Sequence, residues 1–161
     1  MSMKNILKIT IIMGLIMGLA GCSKAEKKEP IAPFTSLTFG MTQEDIVKEE
    51  GEPYEKDDNH YSYKKSFSDV EGIMKVNFPV SRVVWTADTT MDGAEAITRD
   101  VINGYAVKYG SAEKTSIDIN MTLHWSDETT DIWLNSKSDR NPSSPIFKTG
   151  SIEWDISQKT Q

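Results

Sequence analysis

Two stretches of alternating side chains decide the fold: Gly-Ile-Met-Lys-Val-Asn-Phe at 72–78 and Arg-Val-Val-Trp-Thr-Ala at 82–87. In the first, the apolar Met74 and Val76 flank Lys75, and the second repeats the same two-residue period. That period is typical of a strand with one apolar face and one polar face. Only a short connection separates the two stretches, so we expect them to pair as an antiparallel hairpin.

The residues before these stretches predict a third strand and a short helix. A strand-like run occupies 60–65, and the helix is expected to begin after Thr42, whose side chain is a typical N-cap. Acidic residues follow in the first turn, where they suit the helix dipole. Gly51 and Pro53 are expected to end the helix.

The same order recurs after residue 90. The spacing of Asp92 and Glu95 fits a capping box, and Gly110 is expected to end the second helix. Three further alternating runs follow, and Trp85 and Trp154 occupy equivalent places in the last strand of each half. The apolar side of all runs predicts the core, formed by Met74, Val76, Phe78, Val83, Trp85, Met121, Leu123, Trp125, Ile132, Leu134, Ile152, Trp154 and Ile156.

These patterns predict one compact α+β domain made of two units, 37–90 and 91–161. Each unit is expected to be a helix followed by a three-stranded antiparallel meander, with the helices packed on one face of the sheet.

The beginning of the chain predicts export. Lys4 and Lys8 precede a predominantly apolar stretch of eleven residues at 9–19, which is the size of a signal-peptide core and is short for a membrane span. The following Leu-Ala-Gly-Cys resembles the lipobox of bacterial lipoproteins. We therefore predict a signal peptide at 1–21, a lipidated Cys22 and a flexible tether over 22–36. The domain would be held on the extracytoplasmic side of the cell membrane by its acyl chains.

Composition narrows the class of partner. With 18 basic and 24 acidic residues the formal charge is -6, which argues against nucleic acid. The single cysteine excludes an internal disulfide. Acidic residues dominate 44–58, a run that would steer a basic partner, loosely hold divalent cations or form a solvated surface.

No catalytic motif is recognisable in the sequence, and we expect a protein that is not an enzyme and holds no cofactor. His60 and His124 are the only histidines, and they fall at non-equivalent places. A zinc site needs three or four ligands. With the one cysteine assigned to lipid, we predict no metal site.

The first helix and its flanks carry a family resemblance. They contain Phe39-Gly40-Met41-Thr42, then Asp45-Ile46-Val47, then Gly51-Glu52-Pro53. This string resembles the opening signature of the SmpA/OmlA-type (BamE-like) unit, which also occurs in tandem in folds like that of β-lactamase-inhibitory protein. The resemblance implies a small exported lipoprotein of the cell envelope that binds other proteins through an exposed sheet face. It assigns no target, and the second half of the chain lacks the Gly-Met-Thr string.

The strand alternation also predicts a binding face. Trp133 projects to the side opposite Ile132 and Leu134, and large apolar groups facing solvent are typical of interfaces. The alternative is that the loop at 137–150 covers Trp133. The residues predicted to share this face are Trp133, His124, Glu153, Asp155, Val84 and Ile73.

The function expected from the sequence is therefore that of a membrane-anchored module that binds an envelope or extracellular protein. The alternative is a binder of a small molecule, lipid or cell-wall fragment in a cleft between the two units.

Overall fold

The computed structural model describes residues 29–117, 120–139 and 149–160. Two helices, α1 and α2, and eight strands, β1 to β8, are present in these ranges. In chain order they are α1 (Gln43–Glu50), β1 (Glu55–Lys56), β2 (His60–Phe67), β3 (Val70–Asn77), β4 (Arg82–Thr90), α2 (Met91–Tyr109), β5 (Glu113–Ile117), β6 (Asn120–Ser126), β7 (Thr130–Asp139) and β8 (Thr149–Gln158). Within the described ranges, neither helix has the length and apolar character needed to cross a bilayer.

All eight strands form one antiparallel sheet in the order β1-β2-β3-β4-β8-β7-β6-β5. The prediction of two helix-then-three-strand units is therefore wrong, although the class is α+β. Each helix is followed by four strands, and the additional ones, β1 and β5, lie at the two edges of the sheet. They were missed because β1 has only two residues and the Glu-Lys-Thr-Ser-Ile of β5 shows no apolar alternation.

The two halves of the chain meet where β4 pairs with β8. Trp85 and Trp154 are direct register partners in this pairing, and both side chains are buried. Phe34 contacts both rings, with centroid separations of 6.0 Å to Trp85 and 5.0 Å to Trp154. The tryptophans that the sequence pattern placed in equivalent positions thus form the centre of the core.

The core lies between the sheet and the helices. Ile46 of α1 and Ile97 and Val101 of α2 are buried in the same cluster as the inward side chains of the strands. Of the predicted core residues, eleven are buried, and the other two, Phe78 and Met121, are half-buried against the cluster. Both helices therefore cover one face of the sheet.

Helix α1 follows its sequence signals closely. Thr42 is the N-cap, and its side chain accepts a hydrogen bond from the Asp45 backbone N–H while the Asp45 carboxylate accepts from the Thr42 N–H. Gly51, with a φ of +83°, ends the helix, as the sequence predicts. Helix α2 ends at Gly110 as predicted, but its N-cap is Thr90, so the cap predicted at Asp92 is wrong.

The segment before α1 is packed against the domain. Ala32, Phe34 and Leu37 are buried, and Thr35 and the Ser36 N–H both donate to the carboxylate of Glu50. The predicted tether over 22–36 therefore extends too far, because its residues from 31 onward belong to the core. Cys22, the predicted signal peptide at 1–21 and the first tether residues lie outside the described part of the chain.

Candidate binding face

The face of the sheet opposite the two helices, here called the outer face, carries all six residues predicted for binding. Strand register sets four of them in one line across the sheet, because Val84 pairs with Asp155, Asp155 with Trp133, and Trp133 with His124. The neighbouring line contains Ile73, Thr86 and Glu153, again as register partners. The structure thus brings the six predicted residues together from both halves of the chain.

Trp133 is the large aromatic group of this face. Its neighbours in β7, Ile132 and Leu134, are fully buried, whereas 40% of Trp133 is exposed. The His124 ring stacks on the indole with a centroid separation of 3.9 Å and an interplanar angle of 12°. His124 therefore covers one face of the indole, and the opposite face is turned toward β8. The loop predicted as an alternative cover includes 140–148, which lie outside the described residues.

His124 lies between two carboxylates. Its Nδ1 is 3.4 Å from the Oε2 of Glu113, and its Nε2 is 3.2 Å from the Oδ1 of Asp131. Partial burial acts to raise the pKa of Asp131, but contacts with His124, Ser126 and Lys159 outweigh it and lower that pKa. Asp131 is therefore ionised at neutral pH and fixes the edge of His124 next to Trp133.

On the other side of Trp133, Asp155 is held by Arg82. The Arg82 Nη2 donates to Asp155 Oδ2 at 2.6 Å, and its Nε donates to Oδ1 at 3.0 Å. This two-point bond with the carboxylate raises the pKa of Arg82 above its ordinary value. The pair joins β4 to β8 and keeps a charged, planar group beside the exposed indole.

Two shallow grooves follow the line where β4 meets β8. One, of about 540 Å³, is lined from both halves of the chain by residues that include Lys64, Ile73 and Asn135. The other, of about 490 Å³, is lined by residues that include Lys75 and Arg82. Thr86 and Glu153 line both grooves, so together the grooves form a shallow trough across the centre of the outer face.

Several polar residues of this face were not singled out from the sequence. Arg82, Thr86 and Lys75 alternate with buried residues in their strands, so the same two-residue period could have assigned them outward. Glu113 could not be found in this way, because β5 has no apolar alternation. The sequence therefore predicted the centre of the face better than its edge.

Within the described residues, no group of three or more histidine, cysteine or acidic side chains has an arrangement that could hold a metal ion. His60 lies in β2 and His124 in β6, and four strands of the sheet separate them. The His60 Nδ1 is 2.6 Å from the Oδ2 of Asp57. The two histidines therefore do not share a site.

Comparisons with protein-family models, with curated proteins and with solved structures find no match to this chain. The resemblance to the SmpA/OmlA-type unit rests on the residues quoted above and stays a prediction.

Proposed function

We propose that this protein is a lipid-anchored, non-enzymatic module that binds another envelope or extracellular protein through its outer face. The observation that carries the proposal is Trp133, a large aromatic side chain with 40% exposure on the outer face, in the strand next to the central β4–β8 pairing. Tryptophan is enriched among residues that dominate the energy of protein interfaces. Its backbone is fixed in a central strand between β6 and β8, so little entropy would be lost on binding.

The shape of the face supports a protein partner. The described helices lie on the opposite side, and the trough along β4 and β8 is shallow and open, as expected for a surface that receives a loop or a strand edge. Resident polar pairs such as Arg82 with Asp155 rim the aromatic group. An aromatic centre with a polar rim is the usual anatomy of a protein interface.

Site-specific photo-crosslinking in intact cells tests the proposal. A photoreactive residue placed at Thr86 on the outer face should capture a discrete protein adduct, whereas the same residue at Glu95, exposed on α2, should not. The adduct from position 86 should disappear when Trp133 is changed to Ala. Equal capture from both positions, or capture that survives Trp133→Ala, would contradict the proposal.

The loss of capture should occur without unfolding. Trp133 is partly buried and stacks on His124 alone among the described rings, so Trp133→Ala should lower the unfolding free energy by about 1–2 kcal/mol, less than the roughly 3–5 kcal/mol that truncation of a fully buried tryptophan costs. A thermal melt of the variant measures this. A large fall in melting temperature would assign Trp133 a structural role.

The second candidate function is binding of a small molecule, lipid or cell-wall fragment. The groove of about 540 Å³ favours it, because both halves of the chain line this groove at the cleft between them. Titration of the labelled protein with soluble muropeptides, followed by NMR, tests this candidate. Saturable shifts confined to groove residues such as Ile73 and Asn135 would support it over the first.

A further inference from the structure

We propose that the partner bound by the outer face presents an arginine side chain, which stacks on the free face of Trp133. This inference rests on the proposed function and specifies the chemistry of the partner. Two observations carry it: the orientation of the indole between its register neighbours, and the charge of the groups around it.

The orientation follows from the stacking geometry. Trp133 has one direct neighbour on each side, His124 on β6 and Asp155 on β8. The imidazole lies almost parallel to the indole at 3.9 Å and so occupies the face turned toward β6. The opposite face is turned toward β8. A flat group entering there would lie between the indole and the carboxylates of β8.

The charge around this position favours a cation. Among the described residues, the register, diagonal and hydrogen-bond neighbours of Trp133 and His124 supply four carboxylates, and two cations contact these carboxylates. The carboxylates are those of Glu113, Asp131, Glu153 and Asp155, and the cations are Arg82 and Lys159. Among these described groups, carboxylates therefore outnumber lysine and arginine side chains by two. Such an excess attracts a basic side chain and speeds its encounter with the face.

Glu153 is the carboxylate best placed to receive that side chain. Glu153 is the register partner of Asn135 and therefore lies diagonally across from Trp133. A long side chain stacked on the indole would reach it. Its residue is exposed, and the Asn135 Nδ2 donates to one of its oxygens at 3.3 Å. Asp155, in contrast, is already bonded at two points by Arg82. Among the described residues, Asn135 is the one hydrogen-bond donor to Glu153, so an incoming cation would find an acceptor oxygen there.

Arginine fits this position better than lysine. The guanidinium group is planar, stacks on aromatic faces and sheds its water more readily than an ammonium group. It can also bond a carboxylate edge-on while its plane lies against a ring. Arg82 already bonds a carboxylate edge-on at this face, because it donates at two points to Asp155, the direct register partner of Trp133.

The test uses the full chain in a neutral detergent, with its tryptophan indoles labelled with ¹⁵N. The chain has four tryptophans, and Trp85, Trp125 and Trp154 are buried, so their signals serve as internal references. The Trp133 signal is identified by its absence in Trp133→Phe. The probe is blocked tetra-arginine, compared with blocked tetra-citrulline, which has nearly the same shape without charge, and with blocked tetra-lysine.

We expect tetra-arginine to shift the Trp133 signal saturably and to leave the three reference signals in place. The citrulline peptide should bind at least about tenfold more weakly, and the lysine peptide at least about threefold more weakly. Glu153→Gln should weaken tetra-arginine binding at least about threefold. Glu95→Gln, which removes the same charge from an exposed position on α2, on the opposite side of the sheet, is the matched control and should leave binding unchanged.

An unmoved Trp133 signal would overturn the inference, as would equal binding of the citrulline or lysine peptide. Equal weakening by Glu153→Gln and Glu95→Gln would also overturn it, because binding would then follow total charge and not the position beside the indole. These failures differ from failure of the proposed function. If crosslinking at position 86 still depends on Trp133 while tetra-arginine does not bind, only the arginine assignment is wrong.

Discussion

Gly72 is the residue at which the core tolerates least change. A Cβ atom at this position would lie 2.4 Å from Cε2 of Trp85 and 2.7 Å from the carbonyl oxygen of Thr86. Trp85 cannot move aside easily, because it is fully buried and its Nε1 donates to the carbonyl of Lys65 at 3.0 Å. Because residue 72 has no side chain, the Trp85 indole can pack closely against the backbone of β3.

We expect Gly72→Ala to lower the unfolding free energy by about 3 kcal/mol, since overpacking a rigid core forces strained side chains or backbone shifts. Urea unfolding measures this. Gly104→Ala is the control, because a Cβ at this exposed position in α2 would meet nothing within 4 Å. That change should raise stability by about 0.5–1 kcal/mol. If both variants behaved alike, the close approach of Trp85 to residue 72 would be wrong.

Glu50 binds the segment before α1 to the sheet. Its side chain is 1% exposed, forms an ion pair with Lys65 and accepts hydrogen bonds from Thr35 and the Ser36 N–H. Burial acts to raise the pKa of this carboxyl, but these partners outweigh it, and the pKa is lowered from its ordinary 4.5. The folded state therefore holds the proton more weakly than the unfolded state does.

Glu50→Gln should cost roughly 2 kcal/mol of unfolding free energy at neutral pH, because the buried charge-assisted bonds are lost. Since the folded pKa lies below 4.5, the stabilisation by Glu50 is complete above pH 4.5 and is lost as the pH falls through the folded pKa. The difference between wild type and variant should therefore shrink in acid. Urea midpoints at several pH values measure it, with the exposed Glu49→Gln as control. A difference independent of pH would contradict this role.

The position of Trp133 on the outer face could be predicted from the sequence, because successive side chains of a strand point to opposite faces of the sheet. This alternation depends only on residues that are adjacent in the chain. It could not assign the role of Glu50, which sits in an acidic run and has the pattern of a solvated helix face. The burial of Glu50 depends on Thr35 and Lys65, which come from segments on either side of it in the chain. Contacts of this kind leave no periodic signal.

At the scale of single elements, two residues of the sequence could serve as the N-cap of α2. Both Thr90 and Asp92 are good N-cap residues. The structure selects Thr90, whose Oγ1 accepts from the Gly93 N–H at 3.1 Å, because β4 continues to residue 90 and the helix begins directly after it. Asp92 then lies in the first turn, where its charge still interacts favourably with the helix dipole.

Thr90→Ala should therefore lower the unfolding free energy by about 1 kcal/mol, and Asp92→Ala by only a few tenths. Urea unfolding of the two single variants distinguishes the caps. The smaller effect should also decline with added salt, because the dipole interaction is screened, whereas the loss of the Thr90 hydrogen bond should not. The reverse ranking would restore the cap to Asp92.

The edge strands mark the limit of prediction at this scale. Central strands bury one face, so their apolar alternation is strong, as in Ile132 and Leu134 of β7. In the edge strand β5 the described side chains, those of Glu113, Lys114 and Thr115, are exposed. Without that burial no alternation is needed, and the element cannot be distinguished from a loop by its sequence.

At the scale of the whole molecule, the sheet order is symmetric about the β4–β8 pairing, with β1 and β5 at the two edges. Hairpin pairings such as β2 with β3 join neighbouring residues and could be predicted from the local pattern. The β4–β8 pairing joins Trp85 to Trp154 across a helix and three strands. Equivalent positions in two halves of a chain suggest a relation between them, but only the packed structure shows that the halves share one continuous sheet.

The mode of attachment is a prediction for the whole molecule, because it decides which neighbours the outer face can meet. We predict that Cys22 carries the lipid and that the domain, which is packed from about residue 31, stands a short distance from the membrane on the residues between. Because Glu29 is already tied to α2 by its ion pair with Lys108, the predicted flexible tether has about seven residues and spans on the order of 13–16 Å. That is less than the full predicted tether would allow, so the outer face would reach partners close to the membrane surface.

Cys22→Ala should abolish incorporation of labelled palmitate, because the variant has no thiol to carry the lipid. It should also release the protein from washed membranes, because stable anchoring needs two or more acyl chains. The released variant should keep the wild-type melting temperature, because the core is formed by residues far along the chain from Cys22. Inserting nine further flexible residues after Lys28 provides a second test. It should leave anchoring intact but reduce crosslinking from position 86 if the partner lies at the membrane. An anchored, unlabelled wild type would refute lipidation, and undiminished crosslinking would place the partner farther from the bilayer.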